Sequence, residues 1–354
     1  MLSSRFNTNS KSILNLSEIQ KNHLKIINDK ISDGKYKLVD NDCICKENEN
    51  TNSKVISQTD RYGINLKTVF CFKCGSLRFN PYLNEESLKN FYKDHYQYFY
   101  KRYKDIEKYS QNQEQYAFEL EKVLKQKNIK FDSIFEIGCG AGGALNYFYR
   151  KGLKVGGSEY SEELLNYIKR KNFGEFIKSP EDNFSLNFDI IFMNHVFEHI
   201  SNPINFLKTI KNKMNEESRI VLTIPDYSRI HKFSYPGGDL LYYIHIAHKF
   251  NFSYMSFIYL CKKLSLNLEY VIPSKSKSEY TVILKNMNNI SDFKNYKFIE
   301  PIEAYKYLLK TERKYKFFLN QGQLINLHII LIRKLYNLIP IFLKNQIKKL
   351  LKMK

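Results

Sequence analysis

Apolar residues follow two rhythms along this chain of 354 residues. From residue 133 onward, short apolar runs alternate with longer stretches in which apolar positions recur every three or four residues. The runs predict strands at "SIFEIG", "KVGGSEY", a short segment near Phe176 to Lys178, "FDIIFM" and "RIVLTIP"; the stretches predict helices at "ALNYFYRKG", "SEELLNYIKRK" and "PINFLKTIKNKM". Such alternation argues for a parallel sheet with helices on both faces. The later runs "LEYVIPS" and "EYTVILKN" lie too close together for a crossover helix, so they predict an antiparallel hairpin. The expected fold class is α/β: a doubly wound, mostly parallel, Rossmann-like sheet that ends in an antiparallel hairpin.

The rest of the chain divides around this region. Residues 1–35 read as a polar, weakly helical segment, 36–85 carry four of the six cysteines, 86–130 form a tyrosine-rich helical connector, 131–290 hold the α/β pattern, and 291–354 form a basic helical extension. Six cysteines are too few for a disulfide scaffold in a chain of this length. No apolar run opens the sequence, so neither a signal peptide nor a membrane anchor is expected at that end, and the cytoplasm is the default compartment. The formal charge of +20 would attract a polyanion. Its lysines are spread along the whole chain, however, and no nucleic-acid partner is expected. Charge has a position only at the end, where no acid follows Glu312 and the chain closes on "IKKLLKMK". His328, Arg333 and Lys334 interrupt the apolar residues there and Pro340 would kink them, which argues against a spanning helix. A basic amphipathic pair of helices is expected instead, packed on the domain or resting on the inner face of an anionic membrane.

Chemistry enters at "IFEIGCGAGG". Gly138, Gly140, Gly142 and Gly143 follow a buried strand and precede a helix, an arrangement that lets a ligand approach the backbone. Gly138, Gly140 and Gly143 also satisfy the dinucleotide pattern G-x-G-x-x-G, which is weak when taken alone. Glu136, two residues before the first glycine, decides between ligands. Its carboxylate would repel a pyrophosphate but attract S-adenosylmethionine, which carries an ammonium and a sulfonium and no phosphate. Cys139 is read as a small residue that fits between the glycines.

With "GSEYS", "FDIIFMNHVFEHISNPINFL" and "RIVLTIPD" in the same order and spacing, these segments resemble the motifs of class I S-adenosylmethionine-dependent methyltransferases over roughly residues 115 to 285. The resemblance implies that Gly138, Gly140 and Gly142 pass the methionine part of the cofactor and that Glu159 accepts hydrogen bonds from both ribose hydroxyls. It also implies that Glu181 or Asp182 reaches the adenine. Glu159 has a second reading as a charge at a helix start, with Ser161 the N-cap.

His195 and His199 fall just past the fourth strand, where, four residues apart at the start of a helix, they would share one face. His199 matches the family's "EH", and His248 matches the histidine ahead of "FS" in the loop that faces the acceptor, after Gly237 and Gly238. His199 and His248 are the candidate catalytic bases, with a bracing role for the loop the alternative for His199. Cys43, Cys45, Cys71 and Cys74 offer four thiolates for zinc. An extended Cys43-Ile44-Cys45 would point its side chains to opposite faces, so chelation needs a turned backbone, and buried thiols are the other reading. This arrangement resembles the zinc-ribbon region ahead of bacterial sugar and surface-polysaccharide methyltransferases, which implies a sugar or glycan acceptor. An RNA methyltransferase, or a non-catalytic protein that binds S-adenosylmethionine and zinc, are the alternatives.

Overall fold

The structure is a computed structural model that describes residues 1–8, 11–45, 52–100, 105–180, 187–232, 238–286 and 299–315. The chain divides into Met1–Leu308 and Leu309–Lys354, and all that follows concerns the first unit. Glu181, Asp182, Gly237 and the basic run from residue 316 onward lie outside the described residues.

The first 35 residues are more ordered than their polarity suggests. Helix α1, Glu18–Ser32, starts at a capping box in which the Ser17 side chain accepts the Gln20 N–H and the Gln20 side chain accepts the Ser17 N–H. Short strands follow: β1 (Leu38–Val39), β2 (Ser53–Ser57), β3 (Thr68–Cys71), β4 (Leu77–Phe79) and β5 (Tyr82–Leu83). The connector contains α2 (Glu85–Asp94), α3 (Tyr96–Tyr100) and α4 (Ile106–Gln126), the last capped by Asp105.

Then comes the alternating region: β6 (Ser133–Ile137), α5 (Gly143–Tyr149), β7 (Lys154–Ser158), α6 (Glu162–Lys171), β8 (Glu175–Ile177), β9 (Ile190–Asn194), α7 (Pro203–Lys213) and β10 (Arg219–Pro225). It closes with β11 (Phe250–Asn251), α8 (Tyr254–Leu264), β12 (Leu266–Pro273) and β13 (Glu279–Asn286). Seven strands form one sheet in the order β12-β13-β10-β9-β6-β7-β8. The pairs β9–β10, β6–β9, β6–β7 and β7–β8 are parallel, whereas β13 runs antiparallel to both β10 and β12. The doubly wound sheet and its closing hairpin are those expected.

Side chains alternate across this sheet with the strand period of two. Phe135, Ile137, Ile191, Met193, Ile220 and Leu222 enter one core with residues of α7 and α8, while Ile134, Ile190, Phe192 and Val221 enter the other with residues of α4, α5 and α6. By that alternation Glu136 stands on the second side, with Ile134, at the carboxyl end of the central strand. Strand order reverses beside β6, since β7 lies to one side of it and β9 to the other. That reversal marks where an open α/β sheet receives its ligand.

One feature was not legible from spacing. A second sheet, ordered β11-β4-β3-β2, takes three strands from the cysteine region and its fourth from the segment after β10. Phe250 pairs with Arg78 and Asn251 with Leu77, so the two halves of the chain share a backbone ladder.

Helix α4 lies flush against the start of α5. A Cβ on Gly143 would sit 1.7 Å from the Ser110 carbonyl oxygen. Alanine normally exceeds glycine in a helix by about 1 kcal/mol, but Gly143→Ala should here destabilise the protein by about 1–3 kcal/mol through overpacking. Thermal unfolding checks this, and a raised midpoint would contradict the contact.

Candidate active site

The glycine loop bends where the sheet ends. Gly138, Gly140 and Gly142 have φ of 73°, 58° and 72°, a left-handed region that glycine enters without strain. The Gly138 and Cys139 N–H groups both donate to the Ser158 carbonyl at the end of β7, at 2.8 and 3.0 Å. Space above the loop is small: a Cβ on Gly138 would meet Val196 at 2.6 Å, and one on Gly140 would meet Gln113 at 2.6 Å and the Tyr109 hydroxyl at 2.7 Å. Gln113 is a residue that the motifs did not reveal. Buried on α4, it accepts the Ala141 N–H at 2.9 Å through Oε1 and donates from Nε2 to the Cys139 carbonyl at 3.0 Å. A lone glutamine on a polar helix carries no signal until the helix is seen lying over the loop. Burial pushes the Cys139 thiol well above its ordinary value, which silences it as a nucleophile.

Two carboxyl groups face this loop. Glu136 is 3% exposed and its Oε2 has no hydrogen-bond partner. Burial, and then the charge of Glu159, push it up to about 8. Glu159 directly follows β7; its Oε2 accepts the Gly140 N–H at 2.9 Å and its Oε1 accepts the Ser161 N–H at 2.8 Å. Ser161 in turn caps α6 by accepting the Leu164 N–H. Glu159 therefore couples the glycine loop to the second strand's exit and also serves the helix start. Burial raises it above the usual carboxylate range, against these backbone bonds. An orphaned buried carboxyl oxygen beside a glycine cradle is a donor set that suits a cationic, phosphate-free nucleotide.

Across the strand-order reversal, the segment after β9 differs from the sequence expectation. His195 has φ +55° and residues Phe197–His199 form a 3-10 turn, with α7 starting only at Pro203. His195 and His199 therefore do not share a helix face. His195 lies between Glu198 Oε1, at 3.3 Å from Nδ1, and Glu279 Oε2, at 3.0 Å from Nε2. Burial opposes its charge, but the bonds to the two carboxylates outweigh that and raise it to about 9. His199 instead turns to the Ala247 carbonyl, which its Nδ1 meets at 2.8 Å. This brings it against His248, with ring centroids 4.7 Å apart. His245 packs on the far side of His248 at 3.6 Å, and its Nδ1 lies 2.9 Å from the Tyr100 hydroxyl.

The segment that carries His245 and His248 is held by the amino-terminal half. Asp239 receives both terminal nitrogens of Arg5 at 2.7 Å, Asp60 accepts the Ile246 N–H at 3.0 Å, and the Tyr82 hydroxyl donates to the Ile246 carbonyl at 2.6 Å. The fixed partners lie up to 234 residues away in sequence, which is why no local pattern announced them.

The four cysteines converge. The backbone turns at Ile44 and Cys45, so the feared divergence of an extended C-x-C is absent. Sulfur separations are 3.5 Å for Cys43–Cys74 and for Cys43–Cys45, and 3.7 Å for Cys45–Cys71. A tetrahedral ion with sulfur at about 2.3 Å needs sulfurs about 3.8 Å apart. Hydrogen bonds with its three neighbours drive Cys43 down and push Cys74 well up. The carbonyls of Cys74 and Gly75 accept hydrogen bonds from Ser253, the N-cap of α8, and from Tyr227, in the turn after β10.

Residues 108–262, somewhat under half of the chain, match the family model described as a methyltransferase domain. No curated protein gives a significant match. Solved structures similar in part include the mitomycin 7-O-methyltransferase, 16% identical over 44% of this chain and 49% of that one with a TM-score of 0.37. A SAM-dependent methyltransferase from Aquifex aeolicus is 21% identical over 51% of this chain and 97% of that one, with a TM-score of 0.40. The magnesium protoporphyrin IX methyltransferase of Synechocystis PCC 6803 is 14% identical over 48% and 81%, with a TM-score of 0.38. The chain spans about half the length of the first of these. Such distant likenesses carry no weight for activity. The observed strand order and the glycine loop agree with the family-model match, so residues 108–262 resemble a methyltransferase domain.

Proposed function

We propose that this protein transfers the methyl group of S-adenosylmethionine to a carbohydrate acceptor, a nucleotide-linked sugar or a surface glycan. The observation that carries the reading is two polar groups placed after the strand ends: Glu136 and Glu159 with the glycine loop at β6 and β7, and His199 against the buried His248, His245 and Tyr100. Of these, His199 is partly exposed and could meet a sugar hydroxyl, which both donates and accepts. The resemblance of the cysteine region to that of sugar methyltransferases points the same way. Oxygen is the favoured target, since imidazoles stand ready to take a hydroxyl proton.

When bound, S-adenosylmethionine supplies an electrophilic methyl on a sulfonium. Glu136 offsets the positive charge of the methionine part, and Glu159 offers its remaining lone pairs to the ribose diol. Gly138 and Gly140 keep the backbone low enough for close approach. His199 and His248 orient the acceptor hydroxyl and receive its proton, held by the Ala247 carbonyl and by the segment that Asp60 and Tyr82 pin. The cysteine cluster fits zinc, which would make it a rigid clamp on Tyr227 and Ser253. The basic carboxyl-terminal run would rest on a membrane that carries a lipid-linked glycan. Among the described residues no helix is long and apolar enough to cross a membrane.

Glu136 gives the first test. Its carboxyl holds a proton in the folded protein up to about pH 8, whereas an unfolded one loses it near the ordinary value of 4.5, so its contribution to stability falls as pH rises through that window. A cationic ligand favours the ionised form. Calorimetry at pH 7 in buffers of different ionisation enthalpy should therefore show S-adenosylmethionine binding with release of a large fraction of one proton, abolished in Glu136→Gln. Binding of NAD instead, or proton release unchanged in the variant, would overturn the assignment.

Zinc is tested separately. Protein prepared without chelator should carry sulfur-bound zinc that Cys71→Ser or Cys74→Ser loses, with a fall in thermal midpoint. A metal-free preparation of the same stability and activity would reduce the cysteines to packing residues.

Turnover tests the histidines and the acceptor together. With isotope-labelled S-adenosylmethionine, mass spectrometry should find label on a nucleotide sugar or an extracted glycan. His199→Ala and His248→Ala should slow this by about 10²–10⁴-fold, the usual worth of a positioned base, while cofactor affinity stays within a few-fold. Affinity and turnover that fall together would make these residues braces for the loop, and label on RNA alone would replace the carbohydrate reading.

A further inference from the structure

Glu198 is unexplained by the roles assigned so far. It is 0% exposed, and its Oε2 has no hydrogen-bond partner. Its Oε1 lies 3.3 Å from His195 Nδ1 and 3.7 Å from His248 Nε2. A buried carboxylate with an unsatisfied oxygen is costly, and native structures keep one where something else completes it. Ligand-capable atoms of Glu198, His199 and His248 all lie within 4.8 Å of one another. The contact of His199 Nδ1 with the Ala247 carbonyl, at 2.8 Å, makes Nδ1 the protonated nitrogen of the neutral ring and Nε2 the basic one. Metal-bound imidazoles are oriented in that way, by a backbone carbonyl on the opposite nitrogen.

We propose that Glu198, His199 and His248 bind a divalent transition-metal ion, at a site distinct from the four-cysteine cluster. Two imidazoles and one carboxylate suit a first-row ion such as Zn²⁺, Co²⁺, Mn²⁺ or Fe²⁺ better than Mg²⁺ or Ca²⁺, which favour all-oxygen sets. Three protein ligands leave coordination positions for water or for an acceptor oxygen; with the ion bound, the imidazole lone pairs are taken up as ligands, and the ion rather than His199 or His248 would activate the acceptor hydroxyl, a metal-bound hydroxide receiving its proton. His199 is partly exposed, whereas Glu198 and His248 are buried, so the side of His199 is the way in. The role toward an acceptor rests on the methyl-transfer reading; the binding of the ion does not.

The test is a cobalt(II) titration of the full chain after removal of metal with chelator, with neither S-adenosylmethionine nor acceptor present. Cobalt among thiolates gives intense sulfur-to-metal charge-transfer absorption in the near ultraviolet, while cobalt bound by nitrogen and oxygen gives only weak visible bands. The parent should show both classes, one equivalent each. Glu198→Gln and His248→Ala should each weaken the second class by at least about 10-fold, the scale of ligand-shell changes, and leave the near-ultraviolet absorption intact, which also reports that the variants are folded. If any variant loses both bands, thermal unfolding of a Glu198→Asp protein, and its cobalt uptake, replace it. Uptake confined to the cysteine class in the parent, or a second equivalent bound equally by folded variants, would overturn the proposal. Failure of methyl transfer would leave this result untouched.

Discussion

A carboxyl group buried at the end of the central strand, with no countercharge to meet it, is the constraint around which this site is organised. Glu136 stands where Ile134 would continue the apolar face, yet one of its oxygens has no hydrogen-bond partner and its ionisation is postponed to about pH 8. Such a group survives only if binding compensates it or if the surrounding structure holds it in place regardless. Here the second condition is met. Gln113 ties helix α4 to the glycine loop through Ala141 and Cys139, and Glu159 ties that loop to the exit of β7. This end of β6 is therefore a braced site whose carboxyl a cationic ligand would ionise.

The opposite half of the site is held from outside the methyltransferase domain. The segment that bears His245 and His248 ends in β11, which joins the small sheet of the cysteine region, while Asp60, Arg5 and Tyr82 fix its interior. Ser253 and Tyr227 reach the carbonyls of Cys74 and Gly75. The cysteine region is thus hydrogen-bonded to Tyr227 and Ser253, which stand before and after the segment that bears His245 and His248.

How much of this the sequence announced follows from the range of the interactions. Strands such as Ile190–Asn194 and Arg219–Pro225, and the hairpin of β12 and β13, are recorded in local periodicity, and they were read nearly to their ends. Glycines with positive φ leave a local trace too, and the expected sign of the ligand rests on Glu136 beside them. The 3-10 turn at Phe197–His199 departs from the expected helix start because short helical elements share one periodicity whatever their length or type. Gln113, Asp60 and Glu198 were missed for another reason: each acquires meaning only from a partner brought near by folding. For Cys43 and Cys45 the spacing argued against convergence, and a turn at Ile44 and Cys45 that spacing does not encode supplied it.

The account turns on Glu136, and its charge can be observed directly. Carbon-13 NMR of glutamate-labelled protein, with Glu136→Gln used to assign the signal, follows this carboxyl through a pH titration with and without S-adenosylmethionine. The account predicts a midpoint near 8 in the free protein that drops by more than one pH unit when the cofactor binds. A midpoint at the ordinary carboxylate value in the free protein, unmoved by the cofactor, would contradict it.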